Sequence, residues 1–270
     1  MNEKFLNIAL QASVSAGREI LKIFEQGDFE VEHKKDSSPV TVADKNSNAI
    51  ITEFLEQTEL PVLSEEGRRI PFSERRNWKR YWLVDPLDGT KEFVRKSTDF
   101  TVNIALIENH KSVLGVIYIP FTKELFFGAK EIGAFKYIVN SDESDFKFKT
   151  IRIDSKQLDG ICLNPNFTIT GSRSHINTEL LAYYEEMKKK YPGTEIISRG
   201  SSLKFCLLAE GKAHIAPRIG PTYEWDTAAG HAILNAVGGF VFQRGTEIEL
   251  IYNKETLLNP NFIAKNKIND

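Results

Sequence analysis

The stretch "YWLVDPLDGTKEFV", Tyr81 to Val94, constrains the fold more than any other part of this chain. Tyr81, Trp82, Leu83 and Val84 suit a pleated, buried strand, and they run straight into Asp85, Pro86, Asp88, Gly89 and Thr90. On its own such a sequence is a plain turn, because Asp, Pro and Gly are common turn formers. Its company argues otherwise. "VLSEEG" places Glu65 and Glu66 just after another short apolar run, and "EWDTAAGHAIL" places Asp226 at the N-terminal end of a helix. Strand ends and helix starts are where layered folds converge on ligands. Several carboxylates gathered in one cleft repel one another unless a cation holds them. His33, His110, His175, His214 and His231 form no cluster with cysteine, so the donors are oxygens and the ion is a hard one, Mg²⁺ before zinc. Mg²⁺ keeps waters and binds substrate phosphate, which makes a phosphate-handling enzyme the natural reading.

The rest of the chain supplies the layers. Phe5, Ile8, Ala9, Ala12, Ala16, Ile20, Ile23 and Phe24 recur at helical spacing. Thr41 is an N-cap for a second helix with Ile50, Ile51, Phe54 and Leu55 on one face, and Asp44 stands at the spacing of a capping box. From Phe100 to Tyr137, four short strand-like runs separated by turns predict an antiparallel meander. The polar stretch "NSDESDFKFK" then marks a boundary, which divides the chain into an N-terminal α+β half at 1–145 and a C-terminal α/β half at 146–270. Beyond it strands near Ile169, Glu195–Ile197 and Ala213–Ala216 alternate with helices at Asn177–Lys190, Ser202–Ala209 and Asp226–Val237.

With a formal net charge of -2, no global field gathers nucleic acid or anionic lipid, so an anionic ligand has to be captured locally. Cys162 and Cys206 are flanked by apolar residues and read as small hydrophobes in a reducing compartment. The opening residues lack the pattern of a signal peptide, and no window approaches the ~20 apolar residues of a membrane span. A cytoplasmic protein is expected, monomer or homodimer, either free or peripheral on the inner face of the cell membrane.

"DPLDGTKEF", "SEEG", "TVAD" and "WDTAAGHAIL" together resemble the metal-binding signature of the inositol monophosphatase superfamily, Mg²⁺-dependent and lithium-sensitive phosphatases. "LVDPLDGTKEF", "TVNIAL", "GSRSH", "GSSLKFCLLAEGKA" and "WDTAAGHA" are similar to its CysQ-type 3'(2'),5'-bisphosphate nucleotidase branch, from the first helix to "LNPNF" near the end. The resemblance implies a layered α-β-α-β-α sandwich of the inositol monophosphatase and fructose-1,6-bisphosphatase type, with two or three Mg²⁺ ions between its halves. Asp85 would bridge two ions, Glu65 and the Leu87 carbonyl would complete the first site, and Asp88 and Asp226 would hold the second. Gly89 and Thr90 would offer backbone N–H groups to the phosphate. Asp44 and the Thr90 hydroxyl would hold and activate the attacking water, with Glu65 counted among the catalytic group. Glu65, Leu87, Asp88, Gly89, Thr90 and Asp226 would border the scissile phosphate.

In that branch the positions matching His175, Ser201, Lys204 and Arg218 surround the adenosine 5'-phosphate. Read without the resemblance, they are a surface histidine, a solvated lysine and a serine N-cap for the helix that begins near Ser202. The implied reaction is in-line hydrolysis of the 3'-phosphate of 3'-phosphoadenosine 5'-phosphate, a by-product of sulfate assimilation, without a phospho-enzyme. An inositol or sugar phosphate monoesterase is the second reading, and a non-catalytic phosphoanion-binding protein the third.

Overall fold

The computed structural model describes residues 3–27, 29, 31–33, 39–140, 147–172 and 176–267. The first apolar stripe folds as α1 (Glu3–Gln26), which buries Leu6, Ala9, Leu10, Ala12, Ala16 and Ile20. After β1 (Glu32–His33) and β2 (Pro39–Val40), α2 (Val42–Glu56) starts at Thr41 with both bonds of the capping box in place. Ile51 and Leu55 of α2 are buried, while Ile50 and Phe54 pack at the edge of the same core.

There follow β3 (Val62–Ser64), α3 (Phe72–Arg75), β4 (Arg80–Asp88), α4 (Thr90–Val94) and the meander: β5 (Thr101–Glu108), β6 (Lys111–Ile119), β7 (Glu124–Ala129) and β8 (Gly133–Ile138). α5 (Phe148–Asp154) and β9 (Lys156–Leu158) complete this part. The seven strands lie in the order β3-β4-β5-β6-β7-β8-β9, so the meander stands as read from the sequence. β9 pairs with β8, and Phe148 and Ile151 of α5 enter the core under α1, so the first sheet draws on residues past 145.

The second part runs β10 (Thr168–Ser172), α6 (Thr178–Lys190), β11 (Glu195–Arg199), α7 (Leu203–Ala209), β12 (Ile215–Arg218), α8 (Trp225–Ala236), β13 (Phe240–Gln243) and β14 (Phe262–Lys265). Its strands form a mixed sheet in the order β11-β10-β12-β14-β13.

Alternation along β4 explains the layering. Trp82 and Val84 face α1 and α2, whereas Tyr81 and Leu83 face α7, α8 and the second sheet. Both faces are covered, so the strand reads as an unbroken apolar run. A third core, with Ile169, Leu180, Tyr184 and Ile215, lies between the second sheet and α6. The result is the expected α-β-α-β-α order. The middle layer is tight: a Cβ added at Gly115 of β6 would sit 2.1 Å from the Ala229 carbonyl oxygen of α8. Cys206 is buried and Cys162 half-buried, both as free thiols. Among the described residues no helix is long and apolar enough to cross a membrane.

β4 differs from the sequence expectation in one respect. The strand does not end at Val84 but continues to Asp88, with Asp85 opposite Asn103 and Asp88 opposite Thr101. One residue too many on β4 makes a bulge, and bulges re-aim side chains beside functional sites. Pro86, which has no N–H to give a ladder, is tolerated there.

Candidate active site

Three carboxylates reach one point from three elements. Glu65 follows β3, and its N–H donates to the Val84 carbonyl at 3.1 Å, which ties it to β4. Asp85 is buried in the β4 bulge, its Oδ1 accepting from the Leu87 N–H at 3.1 Å. Asp226 lies in the first turn of α8, and its Oδ2 accepts from the Tyr223 N–H at 2.9 Å. One oxygen from each lies within 4.8 Å of the others.

Burial pushes the Asp85 carboxyl well above the ordinary range, and Glu65, Asp88, Asp226 and Asp44 push it the same way. Asp226 is raised by burial, Asp88 and Glu65, against the Tyr223 N–H and Arg218. Acids held this close have no internal reason to stay ionised. An all-oxygen donor set with excess negative charge fits a hard divalent cation.

Asp88 stands in the same cleft, outside that trio. Its Oδ2 accepts from Ser201 Oγ at 2.8 Å, Ser202 Oγ at 2.9 Å and Asn103 Nδ2 at 3.3 Å. Gly89 caps α4 at φ +93°, where a Cβ would come within 2.8 Å of the Asp99 carbonyl oxygen.

Thr90 Oγ1 lies 2.9 Å from Asp44 Oδ1 and 3.1 Å from the Leu87 carbonyl oxygen. The other Asp44 oxygen accepts from the Thr41 N–H at 2.7 Å and the Thr41 hydroxyl at 2.6 Å. Asp44 therefore uses one oxygen to cap α2 and turns the other to Thr90. Burial raises its carboxyl to about 6, with the Thr41 and Thr90 bonds opposing the shift.

The cleft, about 500 Å³, extends from these acids to Ser172, Lys204 and Arg218. Lys204 Nζ donates to the Ser201 carbonyl at 2.6 Å, and burial followed by the Arg218 charge lowers the amine to about 8. Arg218 donates to the Pro221 carbonyl at 3.0 Å, while its buried Nε has no partner. An orphaned guanidinium nitrogen beside a second cation suits an anionic ligand group. His175 lies outside the described residues.

The serine cap expected for the helix near Ser202 is not made. Ser202 sits at the N-cap position of α7, but its hydroxyl makes no cap bond; it serves Asp88 instead. Ser201, with φ +48°, turns its hydroxyl to Asp88 and, at 2.6 Å, to Thr101, so it faces the acids. Ser202, Asn103 and Thr101 are the residues sequence reasoning missed. A signal existed in "TVNIALIE", where a buried Asn and Thr interrupt an apolar strand.

The start of α8 is braced from below. Glu224, fully buried, accepts from the Asn253 N–H at 2.7 Å, the Lys254 N–H at 3.0 Å and Lys254 Nζ at 2.7 Å. Lys254→Met is expected to lower the unfolding free energy by about 3 kcal/mol in urea titrations, because it leaves a buried carboxylate without its counter-charge. A loss under about 1 kcal/mol would mean that the backbone N–H groups alone satisfy Glu224.

All residues of the chain, 1–270, match the model of the inositol monophosphatase family. The 3'(2'),5'-bisphosphate nucleotidase CysQ of Salmonella typhimurium is 41% identical over 256 residues, which cover 93% of this chain and 96% of that protein. The crystal structure of CysQ from Bacteroides thetaiotaomicron matches with a TM-score of 0.88 at 45% identity, covering 97% of each chain. That of extragenic suppressor protein suhB from Bartonella henselae matches with a TM-score of 0.74 at 25% identity, covering 97% of this chain and 93% of that one. With layers, acids and sequence in agreement from end to end, the chain belongs to the inositol monophosphatase family.

Proposed function

We propose that this enzyme is a Mg²⁺-dependent 3'(2'),5'-bisphosphate nucleotidase that converts 3'-phosphoadenosine 5'-phosphate to AMP and phosphate, recycling the by-product of sulfate assimilation. The observation that carries the reading is a single cleft with crowded carboxylates at one end and Lys204 and Arg218 at the other, in a chain 41% identical to a nucleotidase of this type. Such a cleft can hold two phosphates of one molecule, one at the cation and one at the basic pair. A cytoplasmic setting and a monomer or homodimer belong to the same proposal.

Glu65, Asp85 and Asp226, with Asp88 and the Leu87 carbonyl, would hold two or three Mg²⁺ ions. When bound, the metal offsets charge on the phosphoryl and leaving oxygens. The Thr90 hydroxyl, with its single proton given to Asp44 Oδ1, keeps a lone pair for a proton of the attacking water. Asp44, ionised at neutral pH, receives the proton that Thr90 passes on. Water adds to phosphorus as the bond to the ribose 3'-oxygen breaks, and that oxygen takes a proton from solvent. Lys204 and Arg218 orient the 5'-phosphate, a group that takes no part in the reaction.

The test compares wild type, Lys204→Ala and Arg218→Ala on 3'-phosphoadenosine 5'-phosphate and on adenosine 3'-phosphate. Each substitution is expected to lower kcat/KM for the bisphosphate by about 5- to 150-fold, the equivalent of about 1–3 kcal/mol. Adenosine 3'-phosphate should be a poor substrate and nearly indifferent to both changes. Equal losses on the two substrates, or a preference for inositol 1-phosphate over both, would overturn the nucleotidase reading.

A further inference from the structure

A serine at the start of a helix has an obvious use for its hydroxyl, which is to accept from the N–H groups of the first turn. Ser202 forgoes it. Its Oγ lies 2.9 Å from Asp88 Oδ2 and 3.0 Å from the Asp226 carbonyl oxygen, and it accepts from Asn103 Nδ2 at 2.9 Å. The side chain is buried, so no water competes for these bonds. The hydroxyl's one proton is thus placed between the carboxylate of one acidic residue and the backbone of another, 138 positions apart in sequence by the numbers Asp88 and Asp226. Nor is Asp88 Oδ2 short of donors, since Ser201 Oγ approaches it at 2.8 Å as well. The preceding residue holds the loop in a left-handed conformation, Ser201 at φ +48°, which a serine adopts only when its surroundings impose it. Asp99 fixes the same loop from the first half, its carboxylate accepting from the Gly200 N–H at 3.0 Å and Arg199 Nη1 at 3.2 Å.

A carboxylate oxygen with three donors around it is no longer available to a cation. All three bonds go to Oδ2, so Oδ1 is the Asp88 oxygen left for a cation. We propose that Ser202 is a positioning residue for Asp88: it occupies Oδ2, reserves Oδ1 for the cation, and locks Asp88 to the start of the helix that carries Asp226. The inference rests on the metal reading above and on no feature of the nucleotide. It also explains why the loop of the second half reaches across to the strand bulge of the first: the two halves of the acid cluster are brought into register by one hydroxyl. Removing a partner that holds a ligating side chain in place typically costs about 10- to 100-fold in metal affinity or activity.

The experiment uses the full chain and Mg²⁺ alone, measured by calorimetric titration, with a thermal melt of the metal-free protein for each variant. Ser202→Ala removes one oxygen atom. Ser112→Ala is the matched control, because Ser112 is a buried serine that donates to the Ala228 carbonyl of the same helix at 2.7 Å and touches no acid of the cluster. Both variants are expected to lose about 2–4 °C in Tm. Only Ser202→Ala is expected to lose Mg²⁺ affinity, by about tenfold. A Ser202→Ala protein that binds Mg²⁺ as the wild type does, or no more weakly than Ser112→Ala, overturns the proposal, as does a wild type that binds no Mg²⁺. A weakened Ser202→Ala in a protein that releases no phosphate from the bisphosphate supports it and removes the nucleotidase reading instead.

Discussion

Asp85→Asn is expected to lower phosphate release by about a thousandfold or more while raising the melting temperature of the metal-free protein. The two effects have one cause. Asp85 is buried among Glu65, Asp88, Asp226 and Asp44, all of which resist its ionisation. Asparagine keeps the shape and a carbonyl oxygen for the Leu87 N–H, but removes the charge that a cation needs and that the apo protein has to tolerate. The sign of the pH dependence follows. A carboxyl whose folded-state value is raised contributes stability that is complete below the unfolded value of 3.8 and is lost as pH rises through the raised value. In chelator, wild-type Tm should therefore fall as pH climbs above about 4, and the fall should be shallower in Asp85→Asn. Added Mg²⁺ should reverse the wild-type loss and leave the variant almost unmoved. Melts across pH with and without Mg²⁺ check this, alongside phosphate release. A folded variant that keeps half its activity would show that Asp85 does not lie at the reacting centre.

How far the sequence carried this site depends on whether the controlling interaction is local. Thr41 and Asp44 are three residues apart, and the capping box they form was readable from that spacing. The apolar stripe of α1 and the strand–helix alternation after Ile169 were readable for the same reason, since period and punctuation are local properties. The continuation of β4 past Val84 was not. Pro86 looks like a strand terminator unless the partner strand is known to leave it unpaired at a bulge. β9 was missed because Lys156–Leu158 is short and polar, and becomes a strand only by pairing with β8. Ser202 is the instructive case. The sequence offers only a serine cap for a helix that begins near Ser202, and the partners of the Ser202 hydroxyl, Asp88 and Asn103, are 114 and 99 residues away. The resemblance to a family supplied the acids by position, but said nothing of what holds them.

The Asp44–Thr90 pair is where a local role and a catalytic one have to be separated, and its loss is expected to be as damaging as that of the central acid. Asp44→Asn keeps an acceptor for Thr41, so α2 retains its cap and stability should change by less than about 1 kcal/mol. What it removes is the ability to take a proton at Oδ1, the oxygen that faces Thr90. Thr90→Val removes the hydroxyl between that oxygen and the cleft while keeping the side chain's volume. Each single change is expected to lower kcat by about 100- to 10,000-fold, the range for a positioned proton acceptor. Mg²⁺ affinity should hold steady in both, since neither group belongs to the carboxylate trio. The decisive measurement is the double variant. If water, Thr90 and Asp44 form one line of proton transfer, breaking it twice is little worse than breaking it once, and the double should fall within a few-fold of the weaker single. If the two losses multiply, Thr90 and Asp44 act on separate events, and the 2.9 Å bond between them is no relay. Asp44→Ala supplies the other half of the separation: it should match Asp44→Asn in kcat but lose about 1 kcal/mol more stability, because only alanine abandons the cap. Catalysis would then follow the proton acceptor at Oδ1, and stability the cap at Oδ2.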